Sequence, residues 1–147
     1  MPDLRQPLSV PTAESRPPSA RGEGLSPFVT VTVLAGAAMM LGFGVWCRVD
    51  PNGFAQWANW PEHEHFLHDA GVFQIGIGVM LLSALWWRDA VAVGLAGLAV
   101  TNALHAWNHW ADLADGGRPS DPYALLAAAV LGAVALVVRL RTRSRRR

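Results

Sequence analysis

At 147 residues with a single cysteine, Cys47, the chain has room for one domain and cannot be stapled by an intrachain disulfide. Its residues are 52% hydrophobic, and these gather into four blocks of membrane-spanning length, which excludes an ordinary soluble fold. The formal charge of +1 conceals an asymmetry: lysine is absent, and six of the twelve arginines fall within residues 139–147.

Residues 1–27 hold six prolines among Ser, Gly, Arg and Glu, with no apolar periodicity. Such a stretch cannot bury enough surface to offset its ordering entropy, so a disordered cytoplasmic tail is expected there. No basic start with an apolar run and a small-residue cleavage pattern marks a secretory signal. The first span is expected over 28–46, uncharged and long enough to cross the hydrocarbon core. Gly36, Met40 and Gly44 recur four apart, as do Ala38 and Gly42, a spacing that lets another helix approach closely.

Asp50-Pro51-Asn52-Gly53 is a turn signal, after which Phe54, Trp57 and Trp60 recur at helical spacing. Tryptophan favours the headgroup region, so this piece is expected to lie along the membrane surface. Pro61, Glu62 and Glu64 suit the start of a second span over 65–87, ended by Trp86-Trp87. Arg88-Asp89 reads as a tight polar hairpin, followed by a third span over 90–110 that Gly116-Gly117 terminates. Asp121-Pro122 reads as an N-cap and first-turn pair for a fourth span over 123–139, and 141–147 as a basic cytoplasmic tail.

The fold class expected is therefore all-α: a polytopic membrane protein, a four-transmembrane-helix antiparallel bundle over 28–140. Placing both termini in the cytoplasm puts ten of the twelve arginines inside and leaves only Arg48 and Arg118 outside, as the positive-inside rule favours. The arginine tail serves as a topology determinant that meets anionic lipid. Nucleic-acid binding has no interleaved aromatics to support it.

This orientation gathers all five histidines at the outer face. On the third span, Thr101, Asn102, His105, Asn108, His109 and Asp112 share one side, opposite a tryptophan side. Polar groups are driven away from hydrocarbon, so that stripe is expected to face the bundle interior. On the second span, His68, Gly71, Ile75 and Gly78 share a side, with Gln74 adjoining; two glycine-bearing faces, each ending in histidine, are expected partners. The candidate ligands are His65, His68, His105 and His109, supported by Asp69, Gln74, Asn102, Asn108 and Asp112.

Imidazoles from two facing helices can hold a transition metal or a haem iron. A structural cluster that only sets helix register, and proton-coupled quinol or diiron chemistry, are the competing readings. The metalloprotease pattern is not met, because three residues rather than two separate Glu64 from His68. No phosphate-cradling glycine loop or nucleophile–base pattern is present. No catalytic residue is assigned, and a binding or scaffold role is preferred to an enzymatic one.

Two patterns carry a resemblance. Residues 65–78 read H-x-x-x-D-x-G-x-F-Q-x-G-x-G (His65, Asp69, Gly71, Phe73, Gln74, Gly76, Gly78), and 102–112 read N-x-x-H-x-x-x-H-x-x-D. With the span pattern, these resemble small bacterial four-helix membrane proteins of the DoxX-like group and related families. The resemblance implies a bacterial plasma-membrane location and a four-helix bundle, and some members of the group are associated with respiratory quinol oxidation. The partners expected are the lipid bilayer and either a second copy or a membrane-complex subunit.

Overall fold

The computed structural model describes residues 24–144. The expected N-terminal tail lies almost wholly outside the described residues, as does the end of the basic tail. Five helices follow one another: α1 (Pro27–Val49), α2 (Pro51–Ala58), α3 (Glu64–Ser83), α4 (Val91–Ala111) and α5 (Asp121–Ser144).

Each start has a local chemical cause. The Ser26 hydroxyl accepts from Val29 N–H at 3.3 Å, and Pro27 occupies the first turn of α1. Asp50 ends α1 and caps α2, its carboxylate accepting from Gly53 N–H at 2.9 Å. His63 caps α3 with its ring, Nδ1 accepting from Phe66 N–H at 3.2 Å, and Glu64 adds negative charge at the positive helix end.

The four-span expectation is corrected. Among the described residues, three helices are long and apolar enough to cross a membrane: α1, α3 and α5, with mean hydropathies of 2.0, 1.4 and 2.2 over their most apolar stretches. α4 is as long as they are, but Asn102, His105, Asn108 and His109 dilute its C-terminal half. The fold is an all-α bundle of five helices with three candidate spans, α2 being the short extra helix. The ends also shift. α3 stops at Ser83, leaving Trp86 and Trp87 in an exposed turn, while α5 starts at Asp121 and runs on to Ser144.

The helices form two closely packed pairs, α1 with α3 and α4 with α5, joined mainly where α1 meets α5; α3 and α4 touch far less. The buried apolar core lies at one end. It joins Val29, Val33 and Ala37 of α1 to Leu81 of α3, to Val91, Leu95 and Leu98 of α4, and to Ala135 of α5. Leu25, Leu136 and Val138 pack against it, so both ends of the described chain lie here. The same end is tied by arginine: Arg139 Nη2 donates to the Arg88 carbonyl at 2.7 Å, and Arg143 pairs with Asp89.

Glycine makes the α1–α3 contact possible. A Cβ on Gly71 would stand 2.7 Å from the Gly44 carbonyl oxygen, and one on Gly78 would stand 2.6 Å from Leu41 Cγ. The glycine face of α3 is therefore consumed by α1. The expectation that it opposes the polar side of α4 is corrected: close backbone approach took the partner that offered Gly44, and α4 offers none at that level. Gly76, by contrast, faces open space. Gly71→Ala is expected to lower stability by ~1–3 kcal/mol through overpacking, whereas Gly76→Ala leaves it unchanged or raises it by up to ~1 kcal/mol; unfolding of purified protein in detergent measures both.

Candidate functional site

The opposite end of the bundle is built by the α2–α3 connection, the last turns of α4 and the first turn of α5. Asn59 leaves α2 in the left-handed region, φ 58°. There its side-chain amide donates to the Gly117 carbonyl at 2.9 Å, and its own carbonyl accepts from Gly117 N–H at 2.8 Å. Gly117 has φ 81°, a conformation that a Cβ disfavours, and its missing side chain leaves room for Trp60 and His109. Arg118 adds a third tie, donating to the Trp57 carbonyl and lying 5.1 Å over the Trp57 ring. Trp57 in turn packs among Phe43, Trp46 and Phe54.

This junction brings His109 against two groups distant in sequence. The Trp60 ring meets the imidazole edge-on at 5.7 Å, and the Asp121 carboxylate lies 3.8 Å from Nδ1. That nitrogen is buried and has no hydrogen-bond partner, so Asp121 is its electrostatic neighbour. One turn back on α4, His105 Nε2 lies 3.1 Å from His109 Nε2. Which ring donates and which accepts across this contact depends on the two tautomers. His105, outside the three candidate spans, has its pKa lowered, first by loss of solvation and then by the neighbouring charge of His109, with Asp121 opposing both. Asp121 thus does more than begin a helix. Arg118 N–H also donates to its carboxylate at 2.9 Å.

The remaining expected residues are not gathered here. His65 pairs with Asp69 at 3.5 Å and His68 with Glu64 at 3.9 Å, both contacts lying within α3. His68 shares its side of α3 with Gly71, Ile75 and Gly78, and that side packs on α1. Asn102 is buried and donates to the Leu98 carbonyl at 2.8 Å, satisfied within its own helix. Gln74 Oε1 is buried without a hydrogen-bond partner. Thr101, His105, Asn108 and Asp112 lie on the exposed side of α4, against the expectation of an inward polar stripe; only Asn102 and His109 turn inward.

Among the described residues, no hydrogen bond or ion pair joins the α3 histidines to those of α4. Nor does any group of three or more His, Cys, Asp or Glu side chains stand ready to hold a metal ion. The cluster expected between facing helices is corrected to a two-histidine group on α4. An apolar groove of about 280 Å³ between α4 and α5, bounded by Trp107, Trp110 and Tyr123, occupies a different side of α4.

Comparisons with protein-family models, with curated proteins and with solved structures each returned no match. The likeness to DoxX-like proteins therefore rests on its two short patterns.

Two outcomes follow from this geometry. Removing the neighbouring charge with His109→Gln is expected to raise the His105 pKa toward the ordinary imidazole value, read from ring resonances in a pH titration by NMR. Gly117→Ala is expected to cost ~1–2 kcal/mol, because alanine resists the left-handed conformation that the Asn59 pairing requires; thermal unfolding in detergent reads the loss.

Proposed function

We propose that this chain is a small integral membrane protein that binds a first-row transition-metal cation through Nε2 of His105 and His109. The observation that carries this reading is the 3.1 Å separation of the two Nε2 atoms with a carboxylate behind one ring. Two imidazole nitrogens each ~2.0–2.1 Å from one metal stand about 3 Å apart when they occupy adjacent coordination positions. Asp121, 3.8 Å behind the His109 ring, adds a negative charge that favours a cation at this pair. The pKa of His105, lowered first by loss of solvation, favours the neutral ring, the form that coordinates.

The same separation disfavours the haem alternative. Axial imidazoles stand on opposite sides of an iron, about twice the metal–nitrogen bond length apart, which is ~4 Å. Two protein ligands leave open positions for water or for a donor group on another molecule, as suits a binding or transfer site more than a closed structural one.

The arginine-bearing end, with Arg88, Arg139, Arg141 and Arg143, is assigned to the cytoplasmic face of a bacterial plasma membrane by the positive-inside rule. The imidazole pair, at the far end of α4, then faces outward. The exposed polar side of α4 favours a second reading, an assembly subunit that docks through that helix.

Calorimetric titration of metal-free protein in detergent with Zn²⁺ is expected to give one cation per chain. His105→Ala and His109→Ala each abolish saturable binding, Asp121→Asn weakens it about 10–100-fold, and acidification through the imidazole range weakens it as protons compete. Unchanged binding in His105→Ala overturns the reading.

A further inference from the structure

We infer that the arginine end of the bundle binds one anionic phospholipid, its phosphate seated where the α3–α4 turn meets the last turns of α5. Arg139 and Arg143 stand one turn apart on α5, and both reach that turn. Arg139 Nη2 donates to the Arg88 carbonyl at 2.7 Å, and Arg143 pairs with Asp89. These contacts gather three arginines from two distant segments at one junction.

Charge is the first indication of the ligand, because a hydrogen bond to a carbonyl orients a guanidinium without cancelling its charge. Among the described residues this end carries Arg88, Arg139, Arg141 and Arg143 against Asp89 alone. Residues 1–23 hold three arginines and three acidic residues, so they leave that balance as it is. The sequence beyond Ser144 adds Arg145, Arg146 and Arg147 and no acidic side chain. Like charges held together at the end of a candidate span repel one another, and an anion among them lowers that cost. A phosphodiester does so with oxygens spaced for the guanidinium fork.

The surroundings make the anion a lipid rather than free phosphate, and this is a separate observation. Trp86 and Trp87 belong to the same turn as Arg88 and are 77% and 69% exposed. Tryptophan settles at headgroup depth, which sets the junction at the level of lipid phosphates. Leu140 and Val137, 49% and 45% exposed, give α5 an apolar surface beside the arginines. A phospholipid satisfies both parts, its phosphate on the guanidinium groups and its chains on indole and aliphatic surface.

The site is narrower than a general attraction of the basic end for a negative membrane. Arg141 stands about 200° round α5 from Arg139, on another side of the helix. A junction site therefore uses Arg88 and spares Arg141, whereas diffuse attraction uses the two alike.

Native mass spectrometry of full-length protein in non-ionic detergent, titrated with phosphatidylglycerol, tests the inference. One lipid per chain is expected, bound about tenfold or more tightly than phosphatidylcholine with the same chains. Arg88→Gln is expected to weaken binding about fivefold, and Arg141→Gln by less than about twofold. Arg88→Gln keeps the carbonyl that Arg139 grips, and an unchanged unfolding midpoint in lipid-free detergent verifies its fold. Asp89→Asn supplies a test of opposite sign. Loss of the carboxylate tightens binding about fivefold, whereas a junction that needed its ion pair only for shape would bind less. Equal binding of phosphatidylcholine, equal losses from Arg88→Gln and Arg141→Gln, weaker binding in Asp89→Asn, or displacement by an equal concentration of inorganic phosphate overturns the inference. The imidazole pair lies at the other end of the bundle, so these outcomes are independent of metal binding.

Discussion

The reciprocal hydrogen bonds between Asn59 and Gly117 are the constraint from which the rest of the polar end follows. They join two connections nearly sixty residues apart, one leaving α2 and one entering α5, and both backbones must adopt left-handed conformations to make them. With that clamp closed, Trp60 is laid against His109 and Arg118 is held over Trp57. Asp121 then stands beside the imidazole rather than in solvent. Opening the clamp would leave His105 and His109 as neighbours on one helix, with nothing behind them.

The two ends of the bundle are built on different physics. At the arginine end, branched aliphatic side chains from four helices fill a common core, and Arg139 and Arg143 reach across to the α3–α4 turn. Toward the other end α1 and α3 stay together by glycine contact, while hydrogen bonds and aromatic edges hold the α2 connection to the start of α5. The first arrangement gives rigidity without polar groups. The second tolerates a pair of imidazoles and a carboxylate, which is where chemistry has room to occur.

Much of the fold could be read from residue order. Asp50-Pro51 marks a helix boundary because its conformational demands are local, and three of the four expected apolar blocks form the candidate spans. Gly116-Gly117, by contrast, expected to end the third helix, lies beyond Ala111, where α4 stops. Which faces meet was not legible. Gly71 and Gly78 declare that a helix comes close, but a glycine names no partner, and α1 rather than α4 supplied the matching Gly44. The span count failed at α4, where Asn102, His105, Asn108 and His109 fall in one half of an otherwise apolar helix. At the site, His105 and His109 were visible as an i, i+4 pair, whereas Asp121 looked like a cap. Its approach to His109 depends on the path of the intervening loop, and that path is set by a clamp to Asn59 that no local pattern announces.

X-ray absorption at the zinc edge of the loaded protein tests the central claim most directly, because it reads the ligands themselves. Two imidazole donors at ~2.0–2.1 Å, with the outer-shell scattering of ordered rings and the rest of the shell filled by light oxygen ligands, is the result this account predicts. A zinc shell lacking imidazole scattering, or one that keeps both rings when His105 is replaced by alanine, would contradict it.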